Sequence, residues 1–288
     1  MKISGIFGAV LSLPDFEPEG VRKKGTVLIF PGGGYSWLSG REDLPVAREF
    51  ARLGYRTAVL YYDVDTDPLL LRPVQQAAWA VAELRKLFPK EPVFPAGFSA
   101  GAHCACSLAV HWNDPDWNGR DWLEELVRYQ REQEGSAELP EGTVRSRERF
   151  RPDRMILAYP VITSGKFAHN RSLDRLTGPR GETAGDREEW ERARAWFSLE
   201  NYVDPQTCPA FLWHTETDGT VPVENSVLFF QALRNAGVSA ELHIYPKGAH
   251  GLSLATSEVE NPAEKQFEDA HVAGWTRLAA EWLTLEGL

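Results

Sequence analysis

Apolar positions along the chain fall into two patterns. Short continuous runs, rich in β-branched and aromatic residues, occur at 26–30, 57–62, 92–96, 154–159, 209–214 and 241–245. Each predicts a buried strand. Between them, apolar residues recur at three- and four-residue spacing. This predicts helices over 44–53, closed by Gly54, over 73–87, with Ala77, Val81 and Leu84 on one face, and over 102–110. Further helices are expected over 186–197 and 223–235, with a long final one over 262–285. Residues 3–13 predict a first strand, interrupted by Ser4, Gly5, Gly8 and Ser12. Strands and helices in alternation predict an α/β fold in one domain, 1–288: a mostly parallel central sheet with helices on both faces. In such sheets ligands gather outside the carboxyl ends of the strands.

The stretch 113–152 breaks the rhythm. It is dense in charge, carries Trp117 and Trp122, and holds one helical piece in which Asp121 and Glu124 form a capping-box pattern. Trp122, Leu126 and Tyr129 share a face of that piece. The stretch is an insertion over the core, either a lid or a solvated excursion.

Composition narrows the class. The 288 residues are 43% hydrophobic and 25% charged, ordinary for a globular chain, and the formal net charge of −10 argues against nucleic acid or an anionic membrane as partner. No apolar run approaches membrane-spanning length. The N-terminus slightly resembles a secretory leader but lacks a small-x-small cleavage site. Three cysteines, Cys104, Cys106 and Cys208, make no disulfide framework, so a reducing, cytoplasmic setting is expected.

Candidate chemistry sits at strand ends. Gly97-Phe98-Ser99-Ala100-Gly101 has the G-x-S-x-G form of a strand–turn–helix elbow, which lifts a serine hydroxyl off the sheet edge. Pro31-Gly32-Gly33-Gly34-Tyr35 follows the 26–30 strand and leaves backbone N–H groups uncovered. A serine needs a base, and the base needs an orienting carboxylate. His250 follows one later strand and Asp218 another; Ser99, Asp218, His250 is the α/β-hydrolase chain order. Glu216 is the second candidate for the acid. The oxyanion donors expected are the Ala100 N–H with that of Gly33 or Gly34. His103 is expected to support packing and His214 to shape the acid loop. His111, His169, His243 and His271 read as surface or packing residues, and Cys104 and Cys106 share no helix face for a metal. Asp63 to Asp67 begins like a calcium loop, but Pro68 and Val74 stand where its glycine and glutamate belong. No metal or other cofactor is expected.

Taken with Ala158 to Thr163, Phe211 to Thr215, Asp218 to Ser226 and Gly248 to Leu252, these motifs resemble bacterial α/β-hydrolase carbohydrate esterases. The family is acetyl-xylan-esterase-like, close to the dienelactone-hydrolase and prolyl-oligopeptidase branches. The resemblance covers nearly the whole chain except 113–152. It implies metal-free hydrolysis of short acyl esters, often acetyl groups on xylan fragments, with Ser99, Asp218 and His250 as triad and a small acylated carbohydrate as substrate. Residues 167–172, including His169, resemble a family stretch beside the site. Tyr35, Phe98, His169 and Trp117 or Trp122 are candidate pocket residues, and the aromatic ones read equally well as packing. A serine peptidase, a lactone hydrolase or a non-enzymatic binding module are the other readings of this scaffold.

Overall fold

The computed structural model describes residues 1–16, 23–114, 116–117, 119–134 and 147–287. Its centre is an eight-stranded sheet built from β1 (Lys2–Ser4), β2 (Val10–Ser12), β3 (Thr26–Phe30), β4 (Arg56–Tyr61), β5 (Val93–Phe98), β8 (Met155–Ala158), β9 (Ala210–Thr215) and β10 (Ala240–Tyr245). β6 (Asp116–Trp117) and β7 (Arg120–Asp121) form a separate two-stranded ribbon. Across the sheet the order is β1-β2-β4-β3-β5-β8-β9-β10. β2 pairs antiparallel with β1 and β4, and the other pairings are parallel.

The chain winds outward in both directions from β3, first to β4 and then to β5. The crevice between the carboxyl ends of β3 and β5 is thus a topological switch point. Register brings the strand ends level there: Phe30 lies opposite Gly97, Ala158 opposite Trp213, and Thr215 opposite Tyr245. The loops that follow β3, β5, β9 and β10 therefore emerge on one edge.

Both faces of the central strands are buried, which explains their continuous apolar runs. Alternate side chains feed different cores. Val27 and Ile29 of β3, Phe94, Ala96 and Phe98 of β5, and Phe211 and Trp213 of β9 pack with α1 (Leu44–Arg52) and the C-terminal helix. Leu28 and Phe30 pack on the opposite face with α2 (Arg72–Leu87) and α3 (Ala100–His111). Leu212 joins α3 and α7 (Glu224–Asn235) on that same face. Among the described residues no helix is long and apolar enough to cross a membrane.

Two expected elements are broken. The strand expected over 3–13 is two short strands around a turn, with Phe7 and Gly8 at positive φ. The long helix expected over 262–285 is a 3₁₀ turn, Pro262–Glu264, then α8 (Ala270–Ala273) and α9 (Trp275–Trp282). Gln266 turns the chain by exchanging backbone hydrogen bonds with Asn261, and the Asp269 carboxylate caps the new start by accepting from the His271 and Val272 N–H groups.

The described residues of the insertion include one helix. α4 (Trp122–Glu134) rests on α2, where the Gln75 amide donates to the Trp122 carbonyl and to Glu125 Oε2. Asp121 accepts from the Leu123 N–H at the start of the helix. Residues 115, 118 and 135–146 of this insertion, expected as a lid or a solvated excursion, lie outside the described residues. Between β8 and β9 in sequence lie α5 (Asn170–Thr177) and α6 (Ala184–Trp196).

The elbow glycines are dictated by close approach. A Cβ on Gly97 would sit 2.4 Å from Ala102 Cα, and one on Gly101 would sit 2.1 Å from the Phe30 carbonyl oxygen. Gly101→Ala is therefore expected to lower the unfolding free energy by about 1–3 kcal/mol, by forcing α3 away from β3. The denaturation midpoint in urea reads this directly.

Candidate active site

The turn after β5 places Ser99 at φ 54° and ψ −117°, a conformation that side chains avoid. The strain lifts the hydroxyl above the sheet edge at the head of α3. The Ala100 N–H, in the first turn of that helix, has no intrahelical acceptor.

His250 approaches from the loop after β10. Its Nε2 lies 2.8 Å from Ser99 Oγ and its Nδ1 lies 2.6 Å from Asp218 Oδ2. An Nδ1–H donated to the carboxylate leaves Nε2 free to accept the serine proton. The ring is held on several sides. Tyr159 packs edge-on to it, with centroids 5.0 Å apart, and the Gln266 amide donates to the His250 carbonyl at 2.6 Å. The Arg41 guanidinium donates to the Gly251 carbonyl and to Gln266 Oε1.

Asp218 is buried just beyond β9. Its Oδ1 accepts from the Thr220 and Val221 N–H groups, each at 2.9 Å. Burial pushes its proton affinity up, but hydrogen bonds from His214 and His250, the His250 charge and the Val221 N–H outweigh burial and hold the carboxyl well below the usual range. His214 lies beneath it, its Nε2 3.0 Å from the Val221 carbonyl and 3.3 Å from Asp218 Oδ2, with Nδ1 accepting from the Ser226 hydroxyl at 2.8 Å. Glu216, the rival acid, is exposed.

The loop after β3 faces the same spot. Gly33 and Gly34 have φ of 129° and 63°. Their carbonyls accept from Ser36, yet their N–H groups donate to no acceptor among the described residues. A Cβ on Gly32 would lie 3.1 Å from Ser99 Cβ, so the loop lies directly against the serine.

The four pocket candidates separate. His169 belongs to the site region: it is half-buried, and its Nδ1 meets the Ser172 hydroxyl at 2.8 Å beside Gly34. Burial first, then the His250 and Arg171 charges, lower its proton affinity. The other three take the packing reading and not the pocket one. Phe98 points through the sheet to the far core, against Tyr159 and Trp275, because its place in β5 alternates with the elbow side. Tyr35 turns its ring inward, and its hydroxyl lies 2.9 Å from His103 Nδ1. Trp122, the first residue of α4, is buried and lines a recess of about 1120 Å³ whose walls include none of Ser99, Asp218 or His250.

His103 supports packing, as expected: it is fully buried, with Nε2 on the Phe197 carbonyl, and burial lowers its pKa to about 4. Sequence reasoning missed Glu42, a buried carboxylate behind the glycine loop, and Trp37, 56% exposed on that loop. It also missed Phe267, 53% exposed, beside the Gln266 that clamps His250. An aromatic a few residues past the glycines was the available signal for Trp37. Nothing in the pattern marked the other two. Among the described residues no group of three or more His, Cys, Asp or Glu is arranged to hold a metal ion.

The prolyl oligopeptidase family matches residues 156–275. Over 244 residues the chain is 35% identical to endo-1,4-beta-xylanase B of Butyrivibrio fibrisolvens, covering 82% of this chain and 34% of that protein. Over 252 residues it is 25% identical to an acetylxylan esterase of Xylanibacter ruminicola, covering 84% of this chain and 43% of that one. The chain thus spans less than half the length of either relative. The structure of an acetyl ester-xyloside bifunctional hydrolase from Caldicellulosiruptor lactoaceticus is 30% identical, with a TM-score of 0.70 over 96% of this chain and 88% of that one. With its mostly parallel sheet, its serine elbow and these likenesses along most of its length, the chain belongs to the acetylxylan-esterase-like carbohydrate esterases of the α/β-hydrolase fold.

Proposed function

We propose that the chain is a serine carboxylesterase that removes short acyl groups, acetyl above all, from xylo-oligosaccharides or related sugars. The observation that carries this reading is the unbroken relay from Ser99 Oγ through His250 to Asp218, at 2.8 and 2.6 Å. Ser99 attacks the acyl carbonyl as His250 Nε2 takes its proton. The tetrahedral oxyanion accepts from the Ala100 N–H and from that of Gly33 or Gly34. His250, now an imidazolium stabilised by Asp218, passes the proton to the departing sugar hydroxyl, leaving an acyl-Ser99 ester. Water, deprotonated by His250, attacks that ester and releases acetate and Ser99. The steps draw on side chains and backbone alone. Cys104, Cys106 and Cys208 are buried free thiols, which supports the cytoplasmic reading.

The sugar side of the site is assigned to Trp37, an exposed ring against Gly33 of the glycine loop, and to Phe267, exposed next to the Gln266 that donates to the His250 carbonyl. A pyranose ring offers C–H groups to such faces. Trp37→Ala is expected to lower kcat/KM on acetylated xylo-oligosaccharides by roughly tenfold, the equivalent of about 1.4 kcal/mol of stacking. Activity on p-nitrophenyl acetate, which has no sugar, stays within about twofold.

Acetate release from a panel of acetylated xylo-oligosaccharides, p-nitrophenyl esters of increasing chain length and aminoacyl amides tests the reading. Acetyl esters are expected to turn over fastest. Faster cleavage of the amides would favour a peptidase on the same residues.

A further inference from the structure

Glu42 is a buried charge for which the acyl-transfer steps assign no role. It is 3% exposed, and both of its oxygens are engaged. Oε2 accepts the Gly32 N–H at 2.8 Å, and Oε1 accepts the Tyr159 O–H at 2.6 Å. The Tyr159 hydroxyl in turn accepts the Ser253 N–H at 2.9 Å, and its ring is the one packed edge-on to His250. A Cβ built on Gly32 would meet Glu42 Oε2 at 2.8 Å and Ser99 Cβ at 3.1 Å. A Cβ on Gly251, next to His250, would lie 4.0 Å from Oε1. The carboxylate thus lies behind both the serine and the histidine, and touches the loop that supplies the oxyanion donors.

Burying a carboxylate is unfavourable, and a neutral side chain of similar size would fill this space at lower cost. Burial pushes the Glu42 proton affinity up, against the Tyr159 and Gly32 hydrogen bonds and the His250 and Arg41 charges. A negative charge held here acts on what surrounds it. The titratable groups facing it are Tyr159 after β8, Tyr62 after β4, Arg41 on its own loop, and His250. The Arg41 guanidinium is spent on the Gly251 and Val259 carbonyls and on Gln266. His250 faces Asp218 and His169 as well.

We propose that Glu42 is a positioning residue of the esterase: through Gly32 it fixes the direction of the Gly33 and Gly34 N–H groups, and through Tyr159 and its own charge it steadies the protonated His250 of the transition state. The proposal rests on the Ser99–His250–Asp218 reading and adds a second carboxylate to it. Glutamine at this place cannot reproduce the pattern. If its oxygen takes the Gly32 N–H, its amide nitrogen faces a Tyr159 hydroxyl that must itself donate.

The test is the pH profile of kcat/KM on p-nitrophenyl acetate for wild type, Glu42→Gln and Glu42→Asp, with near-ultraviolet circular dichroism to establish folding. Glu42→Gln is expected to lose about tenfold to 100-fold, the scale of a small misplacement of catalytic groups. Its acid limb moves to lower pH, because the imidazolium has lost a nearby negative charge. Glu42→Asp keeps the charge but is one methylene short, so its rate is reduced while the acid limb stays where wild type has it. A glutamine variant within twofold of wild type, or one that loses rate with an unmoved acid limb, overturns the proposal. If Glu42→Gln does not fold, a displaced acid limb in Glu42→Asp overturns it instead. Fluorophosphonate labelling of wild type separates the two levels. With no adduct on Ser99 the esterase reading itself fails, whereas an adduct together with unaltered Glu42 variants removes only the role of Glu42.

Discussion

Ser99→Ala is expected to lower acetyl-ester turnover by on the order of 10⁶-fold while leaving the fold in place. The Ser99 hydroxyl is the group that His250 Nε2 meets, and alanine leaves that nitrogen with no proton to take. A residue of roughly 10³–10⁴ over the reaction in water should survive, because the backbone donors and the binding surface remain. Stability moves the other way in a related variant. The elbow backbone at φ 54° and ψ −117° suits glycine and strains any side chain. Ser99→Gly is therefore expected to abolish activity and to raise the unfolding free energy by about 1 kcal/mol. Urea denaturation of the two variants beside wild type measures both statements.

The second large effect is at Asp218. Asp218→Asn is expected to lower kcat by about 10⁴-fold with little change in structure. The asparagine oxygen would keep the Thr220 and Val221 N–H groups, so its NH2 would face His250 Nδ1. That forces Nδ1 to accept and puts the ring proton on Nε2, where it blocks proton removal from Ser99. The wild-type carboxyl is held well below its usual range by His214, His250 and the Val221 N–H, despite burial. A group lowered in this way contributes stability that is complete above the unfolded carboxyl's own range, near pH 4. That stability is lost only as pH falls toward the depressed folded value. Wild type should therefore lose stability relative to Asp218→Asn below about pH 4 and not between pH 5 and 8, which thermal melts across pH can follow.

The parts of this site that depend on strand ends were legible in the sequence. Apolar runs locate β3, β5, β9 and β10, and level register brings the loops after them to one edge, so Ser99, Asp218, His250 and the glycines could be placed from order alone. Side-chain direction was not legible in the same way. Phe98 neighbours the serine in sequence but alternates to the far face of β5, and Tyr35 enters the core because the chain turns at positive φ there. Trp122 shares a helical face that packs on α2, a contact set by tertiary structure. The C-terminal helix was misread because Gln266 serves the His250 loop, and that contact outweighs local helical pattern. Glu42 was invisible for a similar reason: a loop glutamate reads as solvated until the fold closes over it.

In the proposed mechanism His250 and Asp218 make Ser99 an attacking group. Treatment with a fluorophosphonate, followed by digestion and mass mapping, tests it most directly. One adduct is predicted, on the peptide carrying Ser99, absent in Ser99→Ala and formed far more slowly in His250→Ala. Modification at another residue, or at none, would contradict the account.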